Sequence, residues 1–202
     1  MGILSSSVSF TLYGIKEKIE DKIWQDLSEK LREHSFQEIE GGIEEKSFGW
    51  VSFDNWLDNS FLHSPLIGNY AVFALRLDVR RIPSSVFKKY YELALSQALE
   101  QKQAQGRKFL AKEEKKEIKE QVKLRLLSKI LPVPTVVDVV WDVDKQRVFF
   151  GATSNKLKEL FVELFFQTFH LELTYLTPVE LGLINAQLKE SNLQNYTPSV
   201  FI

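Results

Sequence analysis

Apolar and polar residues alternate from Ser7 to Ile15, with Val8, Phe10 and Leu12 opposite Ser9, Thr11 and Tyr13, which predicts a half-buried strand. From Lys16 to His34 the period changes. Ile19, Ile23, Leu27 and Leu31 recur at spacing four with Trp24 beside them, the pattern of an amphipathic helix with an acidic outer face. Gly41-Gly42 interrupts the chain. Phe48 to Phe53 reads as a strand, followed by a loop carrying Trp56, Phe61 and Leu62, and Tyr70 to Val79 reads as a second, stronger strand. Pro83-Ser84-Ser85 marks a helix start, and almost everything from there to Ile130 favours helix, with a break at Gly106 and a stop at Pro132 and Pro134. Thr135 to Val143 and Arg147 to Thr153 form a hairpin around Asp144-Lys145-Gln146. Ser154 then caps a helix running to about His170 with a broad apolar face, Leu171 to Leu176 is a further strand, and Thr177-Pro178 opens a short final helix. A polar, loose tail is expected after about Gln187.

These elements predict an α+β protein: two small α/β units with antiparallel sheets, joined by a long basic helical section. By position they divide into an N-terminal α+β unit (1–82), the helical section (83–131), a second unit of order β-β-α-β (132–180), and a short helix with a C-terminal tail (181–202). With 202 residues and 44% hydrophobic side chains, the chain can bury a real core. The absence of cysteine excludes disulfides, zinc-thiolate sites and a thiol nucleophile. No apolar run approaches the length that spans a bilayer, and the N-terminus lacks a signal-peptide pattern, so no membrane partner is expected. Gly2 and Ser6 fit the short myristoylation pattern, which many unmodified proteins share.

Charge changes the picture more than composition does. Residues 1–75 hold 6 Lys/Arg against 12 Asp/Glu, residues 76–129 hold 15 against 7, and residues 130–202 hold 5 against 8. A net charge of −1 therefore hides a basic segment between two acidic ones, the footprint of a polyanion-binding surface. Within it, Lys108, Lys112, Lys116, Lys119 and Lys123 fall within roughly 80° of helical arc and span about 22 Å. Ala111, Ile118 and Val122 lie about a quarter turn away and are expected to face the body. Arg107, Lys115 and Arg125 flank the stripe, and Arg76, Arg80, Arg81, Lys88 and Lys89 are expected to extend the basic surface. The blander explanation is a solvated face whose lysines pair with Glu113, Glu114, Glu117 and Glu120. Lysines grip phosphates and do not read bases, so any nucleic-acid binding here would be sequence-neutral.

Catalytic chemistry finds weaker footing. Asp138, Asp142 and Asp144 share one face of the predicted strand and would suit a metal-dependent nuclease, although Val140 interrupts them and no partner glutamate-x-lysine follows. His34, His63 and His170 are scattered, and His34 and His170 sit near predicted helix C-termini, where a cation suits the dipole. Gly49-Trp50-Val51 with Phe48 and Phe53 offers either a base-stacking platform or core aromatics on a short strand.

From Phe48 to Pro178 the order of landmarks resembles the RdgC family, the bacterial recombination-associated DNA-binding proteins. The matching pieces are Gly49-Trp50-Val51, the strand Tyr70 to Leu77, and Ile82-Pro83-Ser84-Ser85-Val86 opening a helix with Ala94, Leu95, Ala98 and Leu99. The charged stretch Gln101 to Lys123 follows, then Leu126-Leu127, Leu131-Pro132, Trp141 with Asp142 and Asp144, and Ala152-Thr153-Ser154 before a helix. The resemblance implies a ring-shaped homodimer that encircles double-stranded DNA with little sequence preference, needs no cofactor and restrains RecA filament activity. It also implies a cytoplasmic, nucleoid-associated location. Family members continue further along the chain, so this is a shortened member. They also usually carry a basic and an aromatic residue where Val133, Pro134 and Thr135 stand here. The rival expectations are a protein-interaction module that kept the fold without DNA binding, and the nuclease.

Overall fold

The computed structural model describes residue 3, residues 5–17, residue 19, residues 22–104 and residues 109–186, the last three by backbone alone. Its elements run β1 (Thr11–Ile15), α1 (Lys22–Gln25), α2 (Leu27–Glu33), β2 (Lys46–Ser52), β3 (Leu66–Ile67), β4 (Tyr70–Val79), α3 (Ser84–Ala104), α4 (Lys112–Leu127), β5 (Val133–Asp142), β6 (Arg147–Phe150), α5 (Asn155–Phe169), β7 (Leu173–Tyr175) and α6 (Pro178–Ala186). With 40% helix and 24% strand, and an antiparallel sheet, the fold is α+β. The strand order is β2-β4-β5-β6-β1-β7, with β3 hairpinned onto β4. The expected tail after Gln187 and the Gly2 pattern lie outside the described residues, as does the break at Gly106.

Contacts divide the chain into two units, and both are discontinuous in sequence. One comprises Met1–Ser35, Trp50–Leu75 and Val136–Ile202, and the other Phe36–Gly49 and Arg76–Thr135. This differs from a division by chain position, because β1 does not pair with β2. It pairs antiparallel with β6 (Thr11 opposite Phe150) and with β7 (Tyr13 opposite Tyr175), strands more than a hundred residues away. A sheet that closes around the N-terminal strand satisfies its backbone on both sides.

In the first unit the core is aromatic. Along α5 the buried residues Leu160, Phe161, Leu164, Phe165, Thr168 and Phe169 form a single stripe, and Phe161 stacks on Phe150 of β6 at 4.2 Å. Trp141 of β5 meets Phe165 and Phe169, each at 5.2 Å. Trp50 is fully buried against Phe73, and its indole donates a hydrogen bond to Thr168 Oγ1 at 2.8 Å. The segment Gly49-Trp50-Val51 is therefore core and offers no stacking platform. The N-terminal alternation is resolved against the expected face: Thr11, Tyr13 and Ile15 are buried, whereas Val8 and Phe10 are exposed. Tyr13 packs on Phe161, and Thr11 Oγ1 donates to the Ala152 carbonyl, so contacts across the sheet outrank the hydrophobicity of Val8 and Phe10. Both His34 and His170 cap the C-termini of helices, α2 and α5 respectively, the latter with a left-handed backbone at φ 56°.

The second unit contains α3 and α4, packed against one another, together with the 36–49 segment. Its hub is two buried arginines. Arg76 is gripped bidentately by Asp78 (2.9 and 2.8 Å) and by Glu38 (2.8 Å), and it lies 4.1 Å from the centre of the Phe36 ring. Burial pulls its pKa down, but those two carboxylates more than compensate, so it stays charged. Arg80 donates to the carbonyls of Gly42 and Glu44 from Nη1, and to those of Ile39 and Glu40 from Nη2. The two arginines are buried for different reasons: Arg76 neutralises the buried Asp78 and the Glu38 carboxylate, whereas Arg80 supplies donors to the carbonyls around the turn at Gly41-Gly42.

Candidate nucleic-acid interface

The helix that carries the basic stripe starts at Ala111, whose amide donates to the Glu114 carboxylate at 2.9 Å. The other oxygen of Glu114 accepts from Lys102 Nζ at 2.5 Å, tying the start of α4 to the end of α3. Alanine cannot return the first bond, so α4 has half of a capping box. At its other end Val122, Leu126 and Leu127 are buried.

At about 100° per residue, Lys115, Lys119, Lys112, Lys123 and Lys116 occupy a sector of roughly 100°, and Glu120, Glu113, Glu117 and Glu114 occupy an adjoining sector of roughly 120° that begins about 40° from Lys116. Lys112, Lys115, Lys116 and Lys119 are all exposed. Among the described residues none of the four makes an ion pair. The pairing of α4 lysines with α4 glutamates that a solvated helix would show is therefore not what holds these four. They advance about 10 Å along the axis.

Lys123 behaves differently. Its sector is bracketed by Leu126 and Leu127, so the stripe runs into the buried side of the helix instead of standing a quarter turn from it. There the side chain is half-exposed and meets Glu45 at 2.5 Å. The hydrogen bond and the charge of Glu45 raise its pKa. Arg107 and Lys108 lie outside the described residues. Arg81, Lys88, Lys89 and Arg125 are exposed as expected, Lys88 standing 3.9 Å from Glu92 and Lys89 over the Tyr90 ring at 5.7 Å. Arg80 and Arg76, expected on the surface, are 4% and 5% exposed with their guanidinium groups committed to the fold, so neither reaches a ligand.

The helical pair has a second character. None of the 21 residues of α3 is buried. Tyr90, Leu93, Phe109, Leu131 and Val133 are exposed apolar residues of this unit, Phe109 at 84%. Sequence reading missed them because the spacing that marks an apolar stripe does not say whether anything covers it.

The three aspartates do not assemble. Asp138 accepts from the Ile3 amide, Asp142 from the Lys145 amide, and Asp144 from the Asn69 side chain. Asp142 ends β5 and Asp144 lies in the turn beyond it, so only Asp138 and Asp142 stand on the strand. Among the described residues no group of three His, Asp or Glu side chains is placed to hold a metal ion.

The family model described as "Putative exonuclease, RdgC" matches residues 9–182 of the chain, which includes both helices of the pair and every strand. The chain belongs to the RdgC family. No curated protein matches it. The family description names an exonuclease, while Asp138, Asp142 and Asp144 of this RdgC-family chain form no metal-binding cluster among the described residues. No helix among the described residues is long and apolar enough to cross a membrane.

Proposed function

We propose that this RdgC-family protein binds double-stranded DNA without regard to sequence, acting by electrostatic grip and not by catalysis. The observation that carries this is the set of four exposed lysines, Lys112, Lys115, Lys116 and Lys119, in one sector of α4, none of them ion-paired among the described residues. Duplex DNA presents a charge about every 1.7 Å of axis, so four ammonium groups over roughly 10 Å meet a comparable density of phosphates. Arg81, Lys88, Lys89 and Arg125 would add outer contacts, as would Arg107 and Lys108. The protein would act as a homodimeric ring or clamp that modulates homologous recombination by occupying duplex a RecA-type filament would otherwise engage. The exposed apolar residues of the helical pair support association with a second copy.

The test is fluorescence anisotropy of a labelled random-sequence duplex across a range of salt, with wild type and with Lys112, Lys115, Lys116 and Lys119 all changed to Glu. Wild type should bind with steep salt dependence, and the variant should lose that binding. Wild type that binds no DNA at low salt would sink this reading. The same exposed apolar residues would then favour a protein-interaction module. Magnesium-dependent degradation of linear DNA, abolished by Asp142→Asn, would establish the nuclease instead.

A further inference from the structure

Beyond the four lysines, the C-terminal part of α4 borders α3 along a groove. Tyr90, Leu93 and Ala94 of α3 recur at the spacing i, i+3, i+4, and Val122, Arg125 and Leu126 of α4 repeat it, so each helix gives one continuous stripe to the same groove. Val122 and Leu126 are buried and form the floor, whereas Leu93 is 50% and Tyr90 39% exposed on the wall. The space between the stripes is about 190 Å³. That is smaller than the roughly 300–1,000 Å³ of small-molecule pockets and suits side chains entering from a docked surface.

No residue of α3 is buried, so its apolar wall has no covering element among the described residues. Two packed helices leave a valley along their seam, and a third helix laid into it is the arrangement that buries such a wall. Charge selects the occupant. Arg125, and Lys129 just past the end of α4, flank the groove; among the described residues neither makes an ion pair, and no carboxylate lines the groove. A helix with carboxylates beside its apolar stripe pairs with both cations while its apolar residues reach the floor, and a basic helix is repelled. A second copy packed groove to groove about a two-fold axis would bring these cations against their own counterparts, which disfavours it at this place. Phe109, Leu131 and Val133 lie outside the groove and stay available to a second copy.

We propose that the groove between α3 and α4 is a docking site for an acidic amphipathic helix of another protein. Apolar residues of that helix at i, i+3, i+4 and i+7 would lie on Val122 and Leu126 beside Tyr90 and Leu93, and its carboxylates would meet Arg125 and Lys129. Each stripe is legible in the sequence, but only the packing of α3 on α4 sets the two side by side.

The probe is a capped, fluorescein-labelled peptide of about 18 residues, some 27 Å as a helix, with leucine at i, i+3, i+4 and i+7 and glutamate or alanine elsewhere. The full chain is titrated into it and anisotropy is read. Saturable binding with a Kd of about 10–100 μM is expected, at least about tenfold weaker for a peptide of the same composition with its leucines scattered round the helix. The peptide with lysine in place of glutamate should not bind. Leu93→Glu and Lys129→Glu should each weaken the acidic peptide about tenfold, whereas Lys156→Gln, an exposed cation of α5, should leave it unchanged. Leu93 is half-exposed and Lys129 exposed, so neither change removes a buried contact, and circular dichroism reports whether each variant is folded. Absence of saturable binding, or insensitivity to both variants, would overturn the assignment. Equal binding of the scattered peptide would do so too, by showing cations that attract any polyanion, DNA included. So would a wild-type oligomer that Leu93→Glu dissociates without peptide, because the groove would then belong to a second copy.

Discussion

Lys119 and Lys123 lie one helical turn apart in the same sector of α4, yet they should respond differently when their charge is removed. Lys119 is exposed and unpaired among the described residues, while Lys123 is held by Glu45 at 2.5 Å. A lysine that contacts a phosphate displaces about 0.9 of a counterion, so four such contacts per protomer give a slope of log K against log salt near −3.6. Lys119→Gln should make that slope about 0.9 less negative and weaken binding roughly eightfold at 0.1 M salt. Lys123→Gln removes a charge already matched by Glu45, and the slope should move by less than about 0.3. The assay is anisotropy of a random-sequence duplex at five or more salt concentrations. Each variant should first be checked for an unchanged far-ultraviolet circular dichroism spectrum. Equal changes in slope for the two variants would refute the argument, because they would mean that the ion pair with Glu45 does not withhold Lys123 from DNA.

Other consequences follow from the buried groups. Arg76→Met should cost about 3–5 kcal/mol in urea unfolding, since it strands the buried Asp78 carboxylate, and the double change with Asp78→Leu should recover much of that loss. Arg80→Gln should lower the unfolding midpoint by loosening the loop at residues 39–44 while leaving the DNA salt slope unchanged, whereas Arg81→Gln should do the reverse; a slope change from Arg80→Gln would contradict its buried assignment. Tyr13 has its pKa raised from 10.0 to about 12, first by burial and then by Tyr175. The folded state therefore holds that proton more tightly than the unfolded state, so its contribution is intact below pH 10 and is lost as pH rises from 10 through 12. Thermal unfolding across that interval should show a decline that Tyr13→Phe reduces. Trp50→Phe should destabilise by about 1–3 kcal/mol in chemical unfolding, because Thr168 loses its indole donor and the ring leaves a void.

Local features of the chain were enough to place most elements. Tyr70 to Val79 was legible as a strand from its apolar density, α5 from its stripe and its Ser154 start, and α6 from Thr177-Pro178, because period, caps and breakers act within a few residues. The charge of α4 was legible for the same reason: three lysines of its stripe, Lys112, Lys116 and Lys119, are exposed, as is the flanking Lys115. What required the tertiary structure is everything set by a partner distant in sequence. The alternation before Ile15 has two faces, and only the packing of Tyr13 on Phe161 decides that Thr11, Tyr13 and Ile15 go inward. Arg80 and Lys119 are both basic residues in the same basic segment. Arg80 is consumed by the carbonyls of a loop some forty residues earlier, and Lys123 by a glutamate seventy-eight residues away. A sequence records which charges a chain carries; whether a charge is spent inside the protein or left for a ligand depends on which distant groups the fold brings to it.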